Sequence, residues 1–296
     1  MADYVLTCSS TADLPAEYTR EHDIGVIPYH FYMDGQEYLD DQEHSLPTPE
    51  FYDKMRAGGQ PSTSMVNTEL YADFFRKYLE EGKDVLHLEF SSGLSGSQDS
   101  ALRAARDLKE EYPDRTVRIV DTLSASRGYG LVVYLTEEKK EEGATLDEAA
   151  AFAEEAGRKV SHWFAVESLE YLRRGGRLSR TSAFLGTMLN IKPVLAVNDE
   201  GKVVPVEKIR GRKKSIAELL NKMEADIDNP DGQTVFVGHG DAPEEAEYVA
   251  EEIRKRFPTV KDVKTYYIGP VVGSHTGPGT VSVHYLSKQR NDTKFQ

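Results

Sequence analysis

Cysteine is nearly absent from this chain: Cys8 is the only one in 296 residues. No internal disulfide framework can form, and a zinc site built from several thiolates is excluded. A lone thiol fits a reducing cytosol. Basic residues are also scarce, 36 Lys and Arg against 50 Asp and Glu, which leaves a net charge of −14. Such a chain repels phosphate backbones, so non-specific nucleic-acid binding is not expected. No apolar run approaches the ~18 residues of a membrane span. Met1–Pro15 has no basic region followed by an apolar stretch, so no signal peptide is expected and the chain is read as cytoplasmic.

Present instead is a regular alternation of strand-like and helix-like segments. Tyr4–Thr7, Ile24–Met33, Gln36–Leu39, Val85–Phe90 and Val117–Val120 have strand character, with the turn Asp34-Gly35 between the second and third and helices between the others. Asp13 is placed to cap a helix carrying Pro15 in its first turn, Asn67 to cap one through Leu70, Phe74, Phe75 and Tyr78, and Thr145 with Glu148 to form a capping box. This order favours a largely parallel sheet covered by helices. After about residue 160 the texture changes. Ile191–Val197 and Lys202–Ile209 flank the turn Asn198–Gly201, a hairpin signal, and later strands alternate with helices, which implies a mixed sheet. A domain boundary is expected near residues 158–162, giving domains over 1–160 and 161–290. Thr181–Asn190 reads as an apolar helix.

Four hydroxyl- or glycine-rich loops stand at strand ends or before helices: Cys8–Thr11, Pro61–Ser64, Ser91–Ser97 and His275–Gly279. In α/β sheets the ligand crevice lies at the carboxyl ends of the strands, where such loops pool their donors and helix N-termini favour an anion. Ser95 in Ser91–Ser97 can donate to a ligand, though the loop can equally be a strand-to-helix turn with Ser97 as its cap. Thr63 is open to either turn chemistry or ligand contact. His275 is held between glycines and Pro278 in a way a plain strand end would not need. A nucleophile elbow requires G-x-S-x-G, but Gly93–Ser97 puts serine in the last place. G-x-G-x-x-G, the Walker loop and H-E-x-x-H are absent, and no cofactor or metal is expected. Two basic clusters, Arg173–Arg177 and Arg210–Lys214, are either solvated ends or docking points for an acidic partner.

Taken in order, Ser10–Leu14, Pro61–Ser64, Ser91–Gly96, Leu169–Ser179, Asn190–Pro193 and Ile268–Gly279 resemble the motifs of the DegV family, the fatty-acid-binding subunits of bacterial fatty-acid kinase. The resemblance runs through roughly residues 3–288. It implies a three-layer α/β/α N-terminal domain with a mostly parallel sheet and a two-layer α/β C-terminal domain with a mixed sheet, the ligand lying between them. It implies that Thr63, Ser95 and His275 hold the carboxylate of a long-chain fatty acid. Arg177 and Arg210 match positions linked to the kinase partner, which itself binds ATP and phosphorylates the acyl group for phospholipid synthesis. The chain alone would do no chemistry, and transient membrane contact would let it exchange lipid. Ser9 and Met65 replace the Asp and Gln usual in the family.

The implied site makes physical demands. Burying ~15 methylenes is worth roughly 12 kcal/mol relative to water, and a buried carboxylate needs donors or it is protonated. Two hydroxyls and an imidazole N–H meet the second demand. Phe184–Leu189, leading to Ile191, is the candidate tunnel lining, with ordinary core as the alternative. The competing functional reading is a serine-dependent acyl hydrolase using Ser95 with His275. A nucleic-acid-binding regulator is disfavoured by the charge and by the lack of a basic recognition helix.

Overall fold

The computed structural model describes residues 4–178 and 191–290. Its elements in chain order are β1 (Tyr4–Ser9), α1 (Ala16–Glu21), β2 (Gly25–Ile27), β3 (His30–Met33), β4 (Gln36–Leu39), α2 (Thr48–Arg56), β5 (Ser62–Ser64), α3 (Thr68–Glu80), β6 (Asp84–Glu89), α4 (Ser97–Glu111), β7 (Val117–Asp121), α5 (Ser126–Glu141) and α6 (Leu146–Lys159). There follow β8 (Trp163–Ala165), α7 (Glu170–Arg174), β9 (Ile191–Val197), β10 (Val203–Arg210), α8 (Arg212–Asp226), β11 (Thr234–His239), α9 (Pro243–Arg256), β12 (Asp262–Tyr267), α10 (Pro270–Thr276) and β13 (Val281–His284).

The first sheet has the order β2-β1-β6-β7 and all its pairs are parallel. Parallel strands require covered faces, and the side-chain alternation supplies them. Leu6, Cys8, Leu86 and Leu88 pack with α5 and α6, while Val5 and Val85 pack with α3 and α4. Helix α3 starts where the Asn67 side chain accepts from the Leu70 amide (2.9 Å). It buries Tyr71, Phe74, Phe75 and Leu79, a stripe at helical spacing. The Thr145–Glu148 capping box is formed. The result is a three-layer α/β/α body.

The second sheet, β10-β9-β8-β13-β11-β12, is mixed: β11–β12 is parallel and the other pairs are antiparallel. Helices α8 and α9 cover one face, against Trp163, Ala165, Val235, Val281 and Val283. The other face, with Phe164 and Leu195, turns toward the first body. Helix α5 lies between the two sheets, with Ser126–Val133 buried on every side.

Four expectations are corrected. Ile24–Met33 is not one strand. Pro28, which has no N–H to give a ladder, separates β2 from β3, and these join different sheets. Asp13 does not cap α1, whose N-cap is Pro15. Asp13 takes a left-handed backbone (φ 55°) and its carboxylate accepts from Ser126. Pro61–Ser64 is not simply a loop, since Ser62–Ser64 pairs with β3 in a three-stranded antiparallel sheet, β4-β3-β5. His275 lies near the end of a short helix, α10, begun by Pro270 and ended by Gly277 at φ 82°. The helix read over Thr181–Asn190, and with it the proposed lining Phe184–Leu189, lies outside the described residues.

Candidate functional site

The inner face of the second sheet and the first body border a half-open cavity, whose empty space, counted with the solvent-open part, is about 830 Å³. Thr63, Ser95, His275 and Arg177 all line it. Thr63 arrives on β5 and His275 on α10, 212 positions later, and Thr63 Oγ1 stands 2.8 Å from His275 Nε2. His275 can come so close because residue 175 is glycine: a Cβ there would lie 2.1 Å from His275 Nδ1. Burial, reinforced by Arg177 and Arg174, lowers the imidazole pKa to about 4. The ring is therefore neutral at ordinary pH and offers one donor without adding charge.

Arg177 supplies the charge. Its Nε donates to the Leu94 carbonyl (3.2 Å) and its Nη1 to the Gly175 carbonyl (2.7 Å). It is partly buried, and burial lowers its pKa. The structure thus places Arg177 against the cavity, beside the loop that carries Ser95. Arg210 is elsewhere, exposed at the end of β10.

Ser95 sits between β6 and α4. Its Oγ accepts from the Ser97 amide (3.3 Å) and lies 3.1 Å from Ser97 Oγ. Behind it is a buried network that sequence reading missed. The Ser97 hydroxyl donates to Glu89 Oε1 (3.1 Å), the Phe90 amide donates to the same oxygen (2.9 Å), and Glu89 Oε2 accepts from Tyr71 and faces His87 Nε2 (3.1 Å). Burial raises the Tyr29 pKa, so this phenol keeps its proton and donates to Ser97. Ser97 remains satisfied by Tyr29 and Glu89 when the Ser95 proton turns toward a ligand. The signal available was His87-Leu88-Glu89: two polar side chains on one face of a strand otherwise apolar.

Ser9 is fully buried, its Oγ 2.7 Å from Thr11 Oγ1 and its amide donating to the Tyr129 hydroxyl (2.9 Å). Met65 is half exposed at the cavity edge.

The walls also include Phe90, Phe164, Leu172, Val197 and Val271. Hydroxyl, imidazole and guanidinium groups on the wall of a largely apolar space can hold a carboxylate whose chain avoids water. They do not form a nucleophile–base pair: His275 is bonded to Thr63, and the Ser95 hydroxyl to Ser97. Three metal-capable side chains meet among the described residues at His22, Glu137 and Glu141, where Lys140 already pairs with Glu137 (3.2 Å) and His22 with Glu141 (2.7 Å).

The model of the DegV family matches residues 5–288. A DegV domain-containing protein of Clostridium perfringens is 43% identical over 294 residues, covering 99% of each chain. Among solved structures, a DegV family protein from Thermus thermophilus described for its fatty-acid binding superposes with a TM-score of 0.87 at 34% identity, over 96% of this chain and 99% of that one. A stearic acid-binding protein from Eubacterium ventriosum superposes with a TM-score of 0.85 at 27% identity, over 96% and 98%.

Proposed function

This chain belongs to the DegV family, and from that premise we propose that it binds a long-chain fatty acid between its two halves and presents the carboxylate to a fatty-acid kinase. One observation carries the reading: the 2.8 Å contact of Thr63 with His275, which closes a polar end, beside Ser95 and Arg177, onto an apolar cavity. The fatty-acid binding described for the Thermus and Eubacterium relatives supports it. Residues 1–160 and 161–290 act as two domains with the ligand between them. The protein performs no reaction alone. The kinase brings ATP and phosphorylates the bound acyl group, and the acyl phosphate goes to phospholipid synthesis. Exposed Arg210 serves kinase docking. Arg177 serves it from the cavity edge, where it also adds positive charge for the head group. Lipid is exchanged by transient contact with a bilayer, and no described helix is long and apolar enough to cross a membrane.

The test is organic extraction of the purified protein followed by lipid mass spectrometry, with Ser95→Ala and His275→Ala beside it. A long-chain fatty acid is expected in the parent and at least tenfold less in each variant, the effect of losing one charge-assisted hydrogen bond. Full lipid content in both folded variants would overturn the site. Arg210→Glu should keep its lipid yet fail to support acyl-phosphate formation with a cognate kinase, and normal turnover would remove the docking role.

A further inference from the structure

The cavity wall that holds Thr63 and Ser95 also holds Tyr29. This tyrosine stands one residue before β3, the strand whose Phe31 pairs with Thr63. Its backbone is fixed on both sides: its amide donates to Ser10 Oγ (3.1 Å) and its carbonyl accepts from the Asp40 amide (2.8 Å). Its hydroxyl reaches the other part of the site, the loop of Ser95, and donates to Ser97. A phenylalanine would fill nearly the same space, so packing alone does not call for the hydroxyl.

The direction of each hydrogen bond around Ser97 follows from counting protons. A hydroxyl has one proton and two lone pairs. Ser97 is fully buried and gives its proton to Glu89 Oε1 (3.1 Å), a carboxylate oxygen that also accepts from the Phe90 amide (2.9 Å). The Ser97 oxygen can then only accept, and two hydroxyls donate to it: Tyr29, and Ser95 at 3.1 Å. Tyr29 has no better place for its proton, since its other contact is to Glu89 Oε1 at 3.5 Å. Ser95 is freer. The Ser97 amide (3.3 Å) occupies one of its lone pairs and leaves its proton able to turn to the cavity. While Tyr29 holds the Ser97 oxygen, Ser95 can withdraw that proton and leave the oxygen still bonded. Without the Tyr29 hydroxyl, the same turn would strip a buried oxygen of its last donor, which is unfavourable.

We infer that Tyr29 is a positioning residue for the head group: by holding the Ser97 oxygen it releases the Ser95 proton, and so sets the site to prefer a head group that accepts over one that donates. This inference rests on the fatty-acid reading of the same cavity. A carboxylate has no proton of its own and needs the one on Ser95. A long-chain primary alcohol brings a proton and can give it to the Ser95 oxygen, which keeps a lone pair for it. The alcohol therefore binds without that turn. Tyr29 acts on the choice between an acid and an alcohol of the same chain, whereas a tyrosine that merely braced the fold would affect both alike.

The experiment is competitive binding of hexadecanoic acid and hexadecan-1-ol to the delipidated full-length protein, its Tyr29→Phe and Ser95→Ala variants and the double variant. Tyr29→Phe is expected to weaken acid binding about fivefold, the effect of one ordinary hydrogen bond, and alcohol binding less than about twofold. In the Ser95→Ala background the same substitution should change acid binding less than about twofold, because no Ser95 proton remains to be released. Equal losses for acid and alcohol, or a loss for the acid that persists in the Ser95→Ala background, would make Tyr29 a structural brace and overturn the inference. An unchanged acid affinity in folded Tyr29→Phe would overturn it too. In each of these cases the fatty-acid reading stands, whereas a parent protein that binds no hexadecanoic acid would overturn both. Should Tyr29→Phe fail to fold, Ser97→Ala decides. With no competing oxygen the Ser95 proton is free from the start, and the acid should bind about fivefold more tightly. An affinity equal to or below the parent's would overturn the inference.

Discussion

At the residue scale the site depends on groups that never touch the cavity. Glu89 accepts from Ser97, Tyr71 and the Phe90 amide. Glu89→Gln turns one of its acceptors into a donor facing donors, and urea unfolding is expected to show a loss of about 2–4 kcal/mol. A second buried cluster sets a pH dependence. Burial, with a further push from Asp13, raises the Asp40 pKa to about 7, and burial raises Asp13 to about 6. A folded-state pKa above the unfolded value favours folding at low pH, a contribution lost as pH rises through the folded pKa. The stability of the parent minus that of Asp40→Asn should therefore fall by a few kcal/mol between pH 4 and 8. A flat difference would show that Asp40 titrates normally. Thr63, Ser95 and His275 could be picked out because their glycine- and hydroxyl-rich surroundings stood out. Glu89 was marked only by sharing one face of its strand with His87, and Asp40 by nothing, because a single carboxylate among 50 acidic residues says nothing of burial until the strands are paired.

At the element scale, close backbone approach fixes the site more than helix or strand propensity. Gly175 ends α7 at φ −72°, a conformation alanine also adopts, so Gly175→Ala should leave the backbone alone and displace only His275. Folding by circular dichroism should be retained while fatty-acid affinity drops about tenfold or more. Gly93 plays a similar part for the Ser91–Gly96 loop, since a Cβ there would meet the Glu200 carbonyl at 2.4 Å. The hairpin β9–β10, the α3 cap and the Thr145–Glu148 box were legible because each is a local rule. Strand β5 and helix α10 were not. Among the described residues Ser62–Ser64 pairs only with β3, and α10 has seven residues, one of them glycine, too few to show a helical period.

At the scale of the whole molecule, the alternation of strands and helices was enough to foresee a parallel first sheet and a mixed second one. The place of each strand was not readable, because sheet order depends on packing between distant segments. A ligand held between the two sheets belongs to the folded state alone, so saturating fatty acid should raise unfolding free energy by about 2.7 kcal/mol at a hundred times Kd. Thermal scans of delipidated and reloaded protein would show this as a rise in midpoint, and an unchanged midpoint would argue against a ligand in the interior. Strand β13 has one more consequence. It is the last strand described along the chain, yet it lies in the middle of its sheet, between β8 and β11. While the chain is still emerging from the ribosome, a gap stands where this strand will insert, and His275 has not yet met Thr63. On the proposed reading, a growing polypeptide holds no lipid until this strand has been made and has taken its place between β8 and β11.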